Sequence, residues 1–151
     1  MNDSIITILE NTLKALGFGA ASVTTSHDKE IGSDVVSLNI PEKHLWYIIK
    51  KEPDFTMSLR LVTKQVLAQL GTKGTIIDIN GEDIDFIDYT KQKAKIAADR
   101  VRDFDKEYEF GYLNAYERMI VHSYLKGRDE VVTESKGEGF ERRLVVKKRE
   151  Q

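Results

Sequence analysis

Hydrophobic spacing changes repeatedly from a helical to a strand-like period along this chain, and that alternation limits the folds available to it. Apolar residues recur at helical spacing from Ser4, which is placed to cap the helix, to Gly17. The segments ASVTTSH and DVVSLNI then alternate as strands do. A short helix is predicted after Pro41, a longer one between Pro53 and Gly71, and GTIIDIN as a buried strand. The predicted order of elements in this half is αββααβ.

The Asn80-Gly81 pair is a turn signal and marks the predicted boundary between domains of residues 1–80 and 81–151. Beyond it, a helical pattern is followed by EYEFGY, a short strand. Asn114 is placed to cap the next helix, and Gly127 to end it. EVVTES and RRLVVKK follow as strands joined by the glycine-rich connection KGEG. This order is αβαββ, so the chain is predicted to be an α+β protein of two small domains.

Composition and charge narrow the class of protein. The lack of cysteine excludes disulfides and thiolate metal sites, and neither a secretion signal nor a membrane span is recognisable, which predicts a cytoplasmic protein. The net charge of -2 is unevenly distributed. Residues 81–112 carry 6 Lys/Arg against 9 Asp/Glu, whereas residues 113–149 carry 9 against 6. The C-terminal segment therefore has the positive charge that an anion-binding face requires.

The segment YERMIVHSYL places Arg118 and His122 four residues apart, so both side chains emerge on one stripe of the predicted helix. A phosphate suits the fork of donors that arginine supplies, together with a second donor about a turn away. The alternative is a solvated helix edge that binds nothing, and the spacing alone leaves both interpretations open. Beyond the helix, strand alternation sends Leu144 and Val146 to one face, and Arg143, Val145 and Lys147 to the other.

The run LNAYERMIVH followed by VTESKGEGFERRLVV resembles the R-three-H domain, which is named for an arginine and a histidine separated by three residues. The residues that carry the resemblance are Asn114, Tyr116, Glu117, Arg118, His122, Ser135, Gly137, Arg142 and Arg143. The resemblance implies binding of single-stranded nucleic acid, with RNA the expected ligand. Arg118 and His122 are then expected to hold phosphates, Arg142, Arg143 and Lys147 to extend the basic track, and Tyr116 to offer a ring for stacking.

The predicted order of the first half is similar to that of a type II KH domain, and the two domains together resemble bacterial Jag (SpoIIIJ-associated, KhpB-like) proteins. The G-x-x-G loop of KH domains falls here on residues 50–53, which lack glycine, so only Lys50 and Lys51 are candidate contacts there. The literal G-x-x-G at residues 71–74 is interpreted as a helix end. The resemblance implies that this degenerate KH-like domain forms a homodimer or heterodimer.

The residue patterns do not support a metal, catalytic or cofactor site. His27, His44 and His122 lack metal-ligand spacing, and no nucleophile with its base, P-loop or cofactor motif is present. The sequence therefore predicts a non-enzymatic nucleic-acid-binding protein without cofactor or metal. The alternative that stays open is a KH-mediated dimeric adaptor, linked by the Jag resemblance to cell elongation or membrane-protein insertion, for which nucleic acid is incidental.

Overall fold

A computed structural model of the protein describes residues 3–41, 53–72 and 74–150. The chain divides into two compact units, Met1–Ile84 (unit 1) and Asp85–Gln151 (unit 2). Each unit combines helices with a small sheet, which confirms the predicted α+β class. None of the helices within the described ranges is long and apolar enough to cross a membrane.

Unit 1 is built on a three-stranded sheet. Its described elements are α1 (Asp3–Ala15), β1 (Ser22–Asp28), β2 (Ser33–Asn39), α2 (Pro53–Gln69) and β3 (Ile76–Ile79). The strand order is β1-β2-β3, with β1 antiparallel and β3 parallel to β2. The short helix predicted after Pro41 falls on residues 42–50, outside the described residues. Ser4 lies inside α1, so the prediction that it caps this helix is wrong.

The helices of unit 1 enclose an apolar core against the sheet. Leu9 and Leu13, one turn apart on α1, pack in the same buried cluster as Val36 and Leu38 of β2. The side chains at positions 36 and 38 share a core-facing side of β2, because alternate residues of a strand point to the same face. The helical spacing of α1 and the alternation of β2 therefore direct apolar side chains into the same core.

The start of the next helix, α3 (Glu82–Phe104), is fixed by two aspartates of unit 1. Asp78 is 1% exposed and accepts hydrogen bonds from the backbone N–H groups of Gly81, Asp83 and Ile84. The two carboxylate oxygens of Asp83 accept hydrogen bonds from the two terminal nitrogens of Arg60, each at 2.6 Å. Asp78 therefore satisfies N–H groups that a helix N-terminus leaves unpaired, whereas Asp83 also accepts the N–H of Ile79 and ties the helix start to α2 and β3. Both carboxylates oppose the positive dipole end of the helix.

Unit 2 shows the predicted order αβαββ. After α3 come β4 (Tyr108–Glu109), α4 (Ala115–Leu125), β5 (Val131–Lys136), a short 3-10 helix (Gly139–Glu141) and β6 (Arg143–Lys148). The strands form an antiparallel sheet of order β4-β6-β5. The strand predicted over EYEFGY is only two residues long. The β5–β6 connection, the 137–142 loop, is longer than KGEG because it contains the 3-10 helix.

Both helices of unit 2 cover one face of its sheet. Small residues of α3 pack there with Val121 and Leu125 of α4 and with Leu144 and Val146 of β6. Arg143, Val145 and Lys147 lie on the opposite face, as predicted from strand alternation. Val145 is nevertheless buried, since long side chains of neighbouring strands surround this central strand.

Candidate nucleic-acid interface

Helix α4 begins at a capping box that fixes its position. The side chain of Asn114 accepts the N–H of Glu117, and the Glu117 carboxylate accepts the N–H of Asn114, each at 2.9 Å. The predicted cap is therefore confirmed. Because Ile120, Val121 and Leu125 are buried, the stripe carrying the arginine and the histidine is left at the surface. Asn114, predicted to contact nucleic acid, has its side-chain oxygen engaged in capping.

Arg118 is half-buried, and its guanidinium is held by the chain just before α4. One terminal nitrogen donates a hydrogen bond to the carbonyl oxygen of Leu113 at 2.6 Å. Among the described residues, no carboxylate lies within ion-pair distance of this guanidinium. A guanidinium carries five N–H donors, so most of its hydrogen-bonding capacity remains for a ligand. The side chain is thus oriented, and no described carboxylate neutralises its charge.

His122 is exposed and lies one turn after Arg118. Its Nδ1 is 2.6 Å from Oγ1 of Thr133 on β5, a contact that orients the ring and leaves Nε2 to other partners. Ser135, two residues farther along β5, points to the same face of the sheet. Its side chain is exposed and has no hydrogen-bond partner among the described residues. A hydroxyl is therefore presented beside the helix.

These side chains come from one stripe of α4 and from two positions on one face of β5. His122 contacts Thr133, which lies two residues before Ser135 on the strand. Arg118 precedes His122 by one helical turn, so both emerge on the same stripe of α4. We call Arg118, His122, Thr133 and Ser135 the α4 row.

One face of the Tyr116 ring is covered by another aromatic ring. It is half-buried and stacks on Phe86 of α3, with ring centroids 6.1 Å apart and planes 8° apart. This contact joins α3 to the first turn of α4. The structure thus gives the ring a packing role.

Lys147 lies apart from the α4 row, on the opposite face of the sheet. Its ammonium is 2.6 Å from the carboxylate of Glu134 and 3.6 Å from that of Glu107. The hydrogen bond with Glu134 raises the pKa of Lys147 and lowers the pKa of Glu134. The predicted basic track along β6 is therefore neutralised at Lys147 by Glu134 of β5 and by Glu107, which directly precedes β4.

The two predicted arginines beside β6 behave differently from Lys147. Arg143 donates to the carbonyl oxygens of Phe140 at 2.6 Å and Arg142 at 3.2 Å, and so closes the 137–142 loop on itself. Arg142 is exposed, and no carboxylate lies within ion-pair distance of either guanidinium in the part of the chain that the structure describes. Both charges therefore remain available for an anion.

Gly137 acts through its backbone. Its φ of +83° lies in the left-handed region, and a Cβ placed there would be 2.8 Å from the carbonyl oxygen of Glu141. Only glycine meets both demands, so this residue shapes the loop that follows Ser135.

Lys50 and Lys51, the predicted KH-loop contacts, lie outside the described residues. Gly71 has a φ of +78° and closes the end of α2, as expected for a helix-ending glycine.

Sequence patterns did not point to three residues that the structure makes notable, one in the α4 row and two in the segments around it. Thr133 orients the histidine, and Tyr112 and Phe140 place two exposed rings beside each other. Tyr112 directly precedes Leu113, and Phe140 precedes the paired arginines, but neither belongs to a periodic pattern. The weak signal available was aromatic residues interleaved with basic ones.

The sequence profile of the R-three-H domain family matches residues 90–148. The match covers less than half of the chain and includes all of α4, β5 and β6. No curated protein sequence matches the chain. Proteins of this domain family generally bind single-stranded RNA or DNA, and the family is not one of enzymes. Residues 90–148, which hold both Arg118 and His122, therefore form an R-three-H domain, as the motif predicted.

Proposed function

We propose that this chain is a non-enzymatic protein that binds single-stranded nucleic acid, with RNA the expected ligand, and that the α4 row holds its phosphates. The main support for the proposal is the charge of Arg118 within an R-three-H domain, which no carboxylate among residues 3–41, 53–72 and 74–150 compensates. Its guanidinium is fixed by a backbone carbonyl, whereas Lys147 of the same domain is neutralised by carboxylates. An oriented and unpaired guanidinium is what bidentate phosphate binding needs.

The rest of the row supports the same ligand. Nε2 of His122 and the hydroxyl of Ser135 offer further hydrogen-bonding groups on the helix side of the sheet. Arg143 starts from the opposite face, but its guanidinium lies at the carbonyls of the 137–142 loop, where it adds to the charge of Arg142. A single strand exposes its phosphates along one track, which a row of donors can follow. These residues are therefore the proposed binding site, with Lys147 contributing little.

The test is salt-dependent binding of a labelled single-stranded RNA to the full chain. We expect the logarithm of the association constant to fall by about 0.7 per tenfold increase in salt for each phosphate neutralised. Neutralisation of three phosphates by Arg118, Arg142 and Arg143 therefore gives a slope of about -2.1. Fluorescence anisotropy at several salt concentrations measures the slope. An association that is absent, or unchanged by salt, contradicts the proposal.

We further propose that unit 1 is a KH-like domain and that the chain is Jag-like. The succession of α1, β1, β2, α2 and β3 supports this, with one predicted helix outside the described residues. The proposed role of this unit is self-association, or pairing with a similar domain. Met57 and Leu61, one turn apart on α2, are 72% and 67% exposed, more than apolar side chains with a purely structural role require.

Light scattering tests the self-association. We expect the mass of a homodimer at micromolar concentration, and a lower mass for a variant in which Met57 and Leu61 are both replaced by glutamate. A dimer that is insensitive to single-stranded RNA favours the adaptor function instead. A wild-type chain that stays monomeric contradicts the homodimer.

A further inference from the structure

Two exposed aromatic rings lie against each other at the surface of unit 2. The ring centroids of Tyr112 and Phe140 are 6.3 Å apart and their planes are inclined by 31°. The residues remain 58% and 84% exposed, so neither ring is placed there to fill a core. Their contact joins the segment before α4 to the 3-10 helix before β6. Water therefore contacts an apolar surface that two separate segments build together.

The backbone at or next to each ring residue contacts an arginine of the proposed phosphate site. Tyr112 directly precedes Leu113, whose carbonyl oxygen holds the Arg118 guanidinium at 2.6 Å. The carbonyl oxygen of Phe140 holds the guanidinium of Arg143, also at 2.6 Å. Each ring thus neighbours an arginine that lacks a carboxylate partner among the described residues. Aromatic and cationic side chains in this arrangement suit a base and its phosphate.

The net charge near the two rings favours a nucleic acid over an apolar peptide as the ligand. The 137–142 loop carries Glu138 and Glu141 as well as Arg142, and Arg143 follows it directly, so this stretch alone is balanced. The excess positive charge comes from Arg118, on the side of Tyr112. A ligand that fits must present a flat apolar group and an anionic group close together. A nucleotide with an unpaired base has both.

We propose that Tyr112 and Phe140 form a stacking platform for unpaired bases of the strand whose phosphates the α4 row holds. This inference rests on the proposed function and deepens it by specifying what the ligand must expose. Stacking tolerates any base, because every base has a π-face. The platform therefore selects single strands over duplexes without selecting a sequence.

The test compares two labelled single-stranded probes of equal length, oligouridine and an abasic ribose-phosphate oligomer, on the full chain. We expect Phe140→Leu to weaken binding of oligouridine by about 5- to 100-fold, as loss of base stacking does, and to leave the abasic probe unaffected. Tyr112→Leu is expected to act in the same direction. Because both residues are largely exposed, neither substitution opens a cavity.

Phe104→Leu is the matched control. Phe104 is 71% exposed at the end of α3, next to Asp105, whose carboxylate is 2.8 Å from Lys148 at the far end of β6 from Arg143. It should change neither affinity. Equal loss for both probes in Phe140→Leu, or no loss in either ring variant, overturns the platform. If wild type binds the abasic probe and the ring variants keep full affinity for oligouridine, the proposed function stands and the rings belong to a protein contact. If wild type binds neither probe, both proposals fail.

Discussion

Replacing Arg118 by alanine is expected to weaken binding of single-stranded RNA by about 10- to 100-fold, because hydrogen bonds to charged groups contribute about 1.5–3 kcal/mol. The guanidinium is oriented by the Leu113 carbonyl and has no carboxylate partner among the described residues, so its charge acts fully on a phosphate. Arg118→Lys keeps the positive charge but loses the planar guanidinium that can bind a phosphate through two parallel hydrogen bonds. This variant should therefore recover only part of the affinity. Anisotropy titration of a labelled single-stranded RNA at fixed salt measures all three proteins.

The control for Arg118 is Lys147→Ala, which removes the same charge from the same unit. Lys147 is paired with Glu134 at 2.6 Å and lies on the other face of the sheet, so we expect little change in affinity. Thermal unfolding of each variant checks that the hydrogen bond between Arg118 and Leu113 is not essential for folding. Equal losses in the two variants would mean that net charge, rather than the α4 row, attracts the RNA.

Gly137→Ala is expected to destabilise unit 2 by about 1–3 kcal/mol, the cost of a strained backbone conformation, and to displace the 137–142 loop. The positive φ of +83° disfavours any side chain, and the added Cβ would be 2.8 Å from the Glu141 carbonyl oxygen. For a domain of this size, each kcal/mol lowers the melting temperature by about 4–8 °C. Calorimetry of the full chain gives this shift. The loop carries Phe140 and Arg142, so RNA affinity should fall as well.

Gly139→Ala separates backbone strain from the steric clash as causes of the destabilisation. Gly139 also has a positive φ, +54°, but a Cβ there would meet no atom within 4 Å. The variant therefore incurs the conformational cost without the clash, and should lose less stability than Gly137→Ala. The same destabilisation in both variants would show that contact with Glu141 does not matter.

Local patterns were sufficient to predict most elements of unit 2. The cap at Asn114, the helix over residues 115–125 and the two strands after it follow from side-chain type and spacing within a few positions. These signals are local because helix caps and periodicity involve residues three or four apart. The errors also lay at element ends, where Ser4 proved helical and EYEFGY gave a two-residue strand.

Spacing and residue type were enough to place Arg118 and His122 on one stripe of a capped helix within an R-three-H motif. Which basic residues lie beside a carboxylate follows only from the folded chain. Lys147 looked equivalent to Arg143 along β6, yet strand pairing brings Glu134 and Glu107 to the lysine and backbone carbonyls to the arginine. The contact between Tyr112 and Phe140 likewise requires two distant segments to fold together. Partners of this kind are set by strand register and loop closure, which a linear pattern does not encode.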